Sequence, residues 1–260
     1  MPFLYVAAPD KISPFDPQMP IGFVDYSNAH IDVFLNRLKE KNVPYIDLRY
    51  SIMEDNLNQY DLFAKTDHHW NSMGGYYGYS KIREWFEEQE IDYDVIASLE
   101  ENYNIDEYKD KLLGSWGQRT GKLYAGTDSL FVYKPLFPTS VTLLDNLETG
   151  TYEEMLINSE VLFEETSDFV YDTVFPNTRD VLNNQVENDT TVILISDSFS
   201  RVVNPFIILT VKNFCYASTY DSKLITKEYI LSKHPDAVIL LQSPWNNYGS
   251  DSSFQFIPDL

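Results

Sequence analysis

The run TVILISDSFS, residues 191–200, decides the fold class. Thr191 to Ile195 form a strongly β-branched, nearly unbroken apolar series, the composition of a strand buried on both faces. The run ends at Ser196-Asp197-Ser198, where small polar residues replace the aliphatic ones. In open parallel sheets, sites are built just beyond the carboxyl ends of such strands. Downstream, Val202 to Val211 reads as a helix whose start is restricted by Pro205. Phe214–Ala217 and Ala237–Leu241 read as further buried strands, separated by a helix near Lys227–Lys233. The chain opens on the same alternation. Phe3–Ala8 is a short apolar run stopped by Pro9-Asp10, and Val43–Leu48 is a second strand. Between them a helix capped by Ser27 or Asn28 runs through about Glu40, with Ile31, Phe34, Leu35 and Leu38 on one face. Strand–helix–strand alternation of this kind gives an α/β fold with a mainly parallel central sheet.

The middle of the chain departs from that pattern. KTDHHWN, residues 65–71, precedes a helix that Asn71 caps and that runs to about Glu88, with Tyr77, Ile82, Trp85 and Phe86 as its apolar face. LLGSWGQRTG, residues 112–121, is followed by a strand at Leu130–Tyr133. Residues 138–188 are acidic and rich in Thr, Glu and Asp, with short hydrophobic runs, and read as a β-rich insertion. The expectation is one domain spanning 1–260 with that insertion at about 138–188, without internal repeats.

Composition narrows the function classes. With 43% hydrophobic and 15% aromatic residues, 260 residues can bury a full core. Forty acidic against 19 basic residues leave a formal net charge of −21, a field that repels phosphate backbones and excludes nucleic acid as a partner. The same field disfavours anionic lipid surfaces, although acidity by itself also serves solubility. A single cysteine, Cys215, excludes an intrachain disulfide and a multi-cysteine zinc site, and its apolar setting reads as a small buried hydrophobe. No stretch approaches the roughly 18–20 apolar residues that a bilayer requires. The opening MPFLYVAAPDK has no basic n-region, so it is not a signal peptide; an upstream segment trimmed from the chain is compatible with a sequence that opens directly on a strand.

Two segments carry chemistry. Ser198 stands at the rim of the sheet beside backbone N–H groups of the next turn, which suit a developing oxyanion; Asp197 or Ser198 equally suits a helix cap. A serine hydroxyl needs a base. Of the four histidines, His30 lies in a surface helix and His234 precedes Pro235 at a helix end, both readable as structural. His68 and His69 sit in TDHHWN. Residues two apart in an extended or turn segment project to one side, so Asp67 can orient His69 while His68 faces elsewhere. Asp67, His68 and His69 are alternatively a metal cluster, but the absence of a further ligand cluster favours no metal and no cofactor.

TDHHW upstream of a GDSFS-like element resembles the DHHW family, in the alginate O-acetyltransferase-like branch of the SGNH hydrolase superfamily. In that branch a D-x-H-W element precedes the serine segment, as Asp67, His69 and Trp70 do here. VAAPDK resembles the family's first strand, LLGSWGQRTG its Gly-Ser/Thr segment, and HPDAVILL its final strand, so the likeness covers most of the chain. It implies an SGNH-hydrolase-like three-layer fold and a Ser198–His69–Asp67 acyl-transfer site acting on a cell-surface or exported polysaccharide. Implied partners are a carbohydrate polymer and an acyl donor, and the implied location is extracytoplasmic. Ser196 stands where the family usually has glycine, and a side chain there crowds or rearranges an oxyanion pocket. That departure keeps open a second reading, a degraded SGNH-like module that binds glycan without turnover. Metal-dependent hydrolysis at Asp67, His68 and His69 is a third. Trp70, Ser115, Trp116, Arg119, Trp245 and Asn246 are the candidate substrate-binding residues, with core packing the alternative for each tryptophan and a plain loop the alternative for Asn246.

Overall fold

A computed structural model describes residues 1–163, 174–175, 180–220 and 225–243. Its strands, in chain order, are β1 (Phe3–Ala7), β2 (Tyr45–Asp47), β3 (Tyr103–Leu112), β4 (Asp128–Pro135), β5 (Val141–Leu143), β6 (Thr149–Gly150), β7 (Val181–Asn183), β8 (Thr191–Ser196), β9 (Asn213–Ser218) and β10 (Ala237–Gln242). Eight of them form one sheet in the order β2-β1-β10-β8-β9-β7-β5-β6. The ladders linking β2, β1, β10 and β8 are parallel, and those linking β9, β7, β5 and β6 are antiparallel. β3 and β4 form a separate antiparallel pair. The fold is α/β with a parallel core to its sheet, as the strand–helix alternation implies; the antiparallel ladders at β9, β7, β5 and β6 make the sheet mixed.

By its contacts the chain divides into two compact units. The first comprises Met1–Gln59, Thr191–Ser200 and the described residues from Cys215 onward; the second comprises Tyr60–Thr190 and Arg201–Phe214, within the described residues.

In the first unit, Ile193 and Ile195 of β8 stand level with Val238 and Leu240 of β10, and these with Phe3 and Tyr5 of β1. This row packs with Ile31 and Leu35 of the helix Tyr26–Glu40 and with Cys215 and Ala217 of β9. The alternate residues Val192, Leu194, Ile239 and Leu241 are equally buried. Burial of both faces is why these strands read as unbroken apolar runs, each large side chain contributing roughly 1.5–3 kcal/mol.

Helix ends were less legible. The cap of Tyr26–Glu40 is Asp25, not Ser27 or Asn28: its carboxylate accepts from the N–H groups of Ser27 and Asn28 at 3.0 and 3.3 Å. Asn28 is committed elsewhere, since its backbone and side-chain oxygens receive Nη1 of the buried Arg49 at 3.1 and 3.0 Å. The strand expected at Val43–Leu48 is shortened to β2, because Asp47 caps a helix, Leu48–Glu54, that begins at once.

In the second unit, Asn71 caps the helix Ser72–Glu88 as expected, accepting from the Gly74 N–H at 3.0 Å. Its buried face uses Tyr79 rather than Tyr77, beside Ile82, Trp85 and Phe86. The helix expected from Val202 starts at Asn204, with Pro205 in its first turn, after a 3-10 turn over Ser198–Val202. Within 138–188 the described residues hold the short strands β5, β6 and β7, a helical turn at Tyr152–Met155 and a 3-10 turn at Glu160–Phe163. No helix among the described residues is long and apolar enough to cross a membrane.

Candidate active site

Two turns hold the residues singled out by the sequence, one in each unit. In the first unit, β8 carries Ser198 just past its carboxyl end, at the start of the 3-10 turn. Asp197 organises this turn from a fully buried position. Its Oδ1 accepts the Phe199 N–H at 2.9 Å, and its carbonyl oxygen accepts the N–H and hydroxyl of Ser200 at 3.2 and 3.1 Å. Oδ2 accepts both the N–H and the hydroxyl of Ser243, at 2.9 and 2.7 Å. A buried carboxylate needs such donors, because an unpaired charge away from water is very costly. Asp197, not Ser198, therefore ties the turn together. The N–H groups of Phe199 and Ser200 are turned onto Asp197, which corrects the expectation that the amides following Ser198 face an oxyanion. Ser243, just past β10, escaped the sequence reading; its only signal was its position after an apolar run. Ser196 ends β8 fully buried, and its hydroxyl has no hydrogen-bond partner among the described residues.

In the second unit, Lys65–His69 form a string of bends between Phe63 and Trp70, which meet in an antiparallel bridge. Asp67 folds back on its own loop, and Oδ1 accepts the His69 backbone N–H at 2.9 Å and lies 2.7 Å from His69 Nδ1. An ionised carboxylate only accepts, so Nδ1 carries the proton and Nε2 of a neutral ring keeps its lone pair. That is the tautomer a general base requires. Burial on its own raises the Asp67 carboxyl. The hydrogen bond and charge of His69, with the backbone N–H groups of His69 and Ser115, outweigh it and hold the carboxyl well below the ordinary carboxylate range.

His68 does not face elsewhere. Its ring lies against that of His69, with centroids 3.9 Å apart and planes at 38°. Its Nδ1 stands 3.2 Å from Asp67 Oδ1 and 2.8 Å from the Ser115 hydroxyl. Two imidazoles thus converge on one carboxylate oxygen, the more exposed being His68, at 31% of its side chain against 7% for His69. Ligand atoms of Asp67, His68 and His69 lie within 4.8 Å of one another, so the three also have the makings of a cation site.

A family model described as "DHHW protein" matches residues 25–217. The chain belongs to the DHHW family. Solved structures of PatB1, of a second DHHW family protein and of an AlgJ domain share its fold. PatB1 of Bacillus cereus matches at 22% identity and a TM-score of 0.75, over 98% of this chain and 86% of its own. PatB1 has also been solved with a sulfonyl adduct, matching at 20% identity and 0.73 over 97% and 83%. A DHHW family protein from Eubacterium siraeum matches at 15% identity and 0.68, over 96% and 80%. The O-acetyltransferase domain of Pseudomonas putida AlgJ matches at 11% identity and 0.54, over 98% and 79%. No curated protein matches the chain. At these identities the likeness establishes the SGNH-like fold expected of a DHHW protein.

The remaining candidates of this DHHW chain separate by burial. Trp70 is 1% exposed and half of the Phe63 bridge, so it serves the core and offers no open face to a sugar, which corrects its reading as a rim residue. Ser115 is half-buried, bonded to His68 through its hydroxyl and to Asp67 Oδ2 through its N–H at 2.7 Å. Trp116 is half-buried and Arg119 exposed, both in the helix Ser115–Thr120. Tyr124, 87% exposed in the next helical turn, is an open aromatic that sequence reasoning passed over. Trp245 and Asn246 lie outside the described residues. His30 and His234 are exposed.

Proposed function

We propose that this DHHW protein is a serine-dependent acyl-transfer enzyme that moves an acetyl group to or from a hydroxyl of a cell-surface or exported polysaccharide. The observation that carries the reading is the 2.7 Å bond between Asp67 Oδ1 and His69 Nδ1 in a buried loop, the arrangement that fixes a histidine as a general base. Ser198 is the nucleophile in this reading. Its Oγ attacks the ester carbonyl carbon, and Nε2 of His69 takes the hydroxyl proton. The tetrahedral oxyanion is held by the Ser198 N–H. Collapse breaks the ester C–O bond, and His69 returns the proton to the departing alcohol. An acceptor hydroxyl or water then attacks the acyl-serine, passing its proton to His69; the acyl C–Oγ bond breaks and His69 hands that proton to Ser198 Oγ, restoring both groups. Asp67 remains ionised throughout and balances the imidazolium. Trp116, Arg119 and Tyr124 supply the sugar-facing surface, and the protein acts outside the cytoplasm.

Support comes from the AlgJ neighbour, described as an O-acetyltransferase domain. PatB1 with its sulfonyl adduct adds to it, since sulfonylating reagents capture nucleophilic side chains. The test is acetyl release from p-nitrophenyl acetate by wild type and Ser198→Ala, with a sulfonyl fluoride and mass spectrometry to locate any adduct. Release that depends on Ser198, survives EDTA and is blocked by a single adduct on Ser198 supports the reading. Release abolished by EDTA and restored by a divalent cation replaces it with metal-assisted hydrolysis at Asp67, His68 and His69. A folded wild type that neither turns over nor labels, yet retains polysaccharide in a pull-down, leaves a glycan-binding module.

A further inference from the structure

We propose that Asp128, acting through Thr66, is a positioning residue for the Asp67–His69 pair; the proposal rests on the reading of that pair as the catalytic base. Thr66 immediately precedes Asp67, and both are buried with Asp128, the first residue of β4. One oxygen of Asp128, Oδ2, accepts the N–H and the hydroxyl of Thr66, each at 2.6 Å. The same hydroxyl accepts the Gly114 N–H at 2.9 Å, so it donates to one segment and accepts from another. The Thr66 carbonyl oxygen accepts the N–H groups of Trp116 and Gly117 at 3.0 and 2.9 Å. Between these bonds Ser115 directs its own N–H onto Asp67 Oδ2 at 2.7 Å.

The result is a clamp. Asp67 has one carboxylate oxygen on His69 and the other on Ser115, so the plane of the carboxylate follows the 114–117 segment. That segment is pinned by Thr66, and the Thr66 hydroxyl is pinned by Asp128. Gly114 closes the arrangement: a Cβ on it would lie 2.3 Å from the Asp67 Cβ, leaving no room for any other residue. Catalytic groups held to within about 0.5 Å of their working geometry depend on supporting contacts of this kind.

The variants are Thr66→Val, which keeps shape and loses the hydroxyl; Thr66→Ser, which keeps the hydroxyl; and Asp128→Asn, which keeps size and loses charge. Two readouts on the folded variants report on the pair itself and not on overall stability. One is the proton resonance of His69 Nδ1–H, which a carboxylate partner moves far downfield of the backbone amides. The other is the split between kcat and KM for acetyl release. We expect Thr66→Val and Asp128→Asn to lose or shift the resonance and to lower kcat by roughly 10–100-fold with KM within about twofold. Thr66→Ser should restore both. Should Thr66→Val fail to fold, Asp128→Asn and Thr66→Ser decide the matter. Folded variants with the wild-type resonance and kcat would overturn the proposal, leaving the cluster as scaffold. If wild type shows the resonance without acetyl release, the functional reading fails, and the response of the resonance still decides the positioning role.

Discussion

The serine turn and the histidine loop solve the same problem in opposite ways. The turn at 196–200 inherits its place from a strand: β8 is paired along its length with β10, and most bonds around Asp197 come from the next three residues. Its distant ties include Ser243, at the end of that neighbouring strand, and the Tyr216 hydroxyl, which donates to the Ser196 carbonyl oxygen at 3.3 Å. The loop at 65–69 has no strand beneath it. Besides its own Asp67–His69 bonds and the Phe63–Trp70 bridge that closes it, it is held by Asp128, 62 residues away, and by Gly114 and Ser115, 48 residues from the residues they meet. A residue at a strand end is placed by the sheet's backbone ladder, whereas a loop residue is placed only by side chains and amides brought from elsewhere. The loop is therefore the more easily disturbed of the two.

The largest expected effect tests whether turn and loop act as one unit. Ser198→Ala and His69→Ala should each lower the rate constant for acetyl release by at least about 10³-fold, and the double variant should be no slower than the worse single one. Losses that multiply would break the comparison, because they would mean two independent contributions.

Acid should strike the loop next. Asp67 is held below its ordinary value in the folded protein. Its contribution to stability is therefore complete above the unfolded carboxyl value of about 4 and is lost as pH falls through the folded one. Below about pH 4, wild type should lose urea resistance more steeply than Asp67→Asn. Parallel curves for the two would show that the His69 and Ser115 bonds add nothing in the folded state.

The smallest effect belongs to the turn. Ser243→Ala removes one donor from a buried carboxylate that keeps the Ser243 and Phe199 N–H groups. A stability loss of about 2 kcal/mol is expected, seen as a lower urea midpoint with unchanged slope. A loss within error would mean that the sheet alone holds the turn.

The same contrast explains which elements were legible. β8, β10 and β1 announce themselves because burial on both faces demands aliphatic runs, and Asn71 was found because a cap acts on residues two or three places away. β3 was missed: most of Tyr103–Leu112 is exposed or half-buried, so Asn, Asp, Glu and Lys fill it without an apolar signal. Asp25 lost to Ser27 and Asn28 in the sequence reading because nothing local shows that Asn28 is taken by Arg49, 21 residues on. Asp67 and His69 were found from spacing, since their bond is local; His68 was misjudged, because its partner Ser115 lies 47 residues away.

By itself the sequence determined the α/β class, the buried strands, the position of Ser198 at a strand end and the pairing of Asp67 with His69. Each rests on interactions within a few residues or on a hydrophobic pattern written along one element. Only the tertiary structure decided that Trp70 is core, that Asp197 leans on Ser243, and that Thr66, Asp128 and Gly114 surround the Asp67 loop. Those are meetings of distant segments, and they depend on which polar groups must find partners once water is gone.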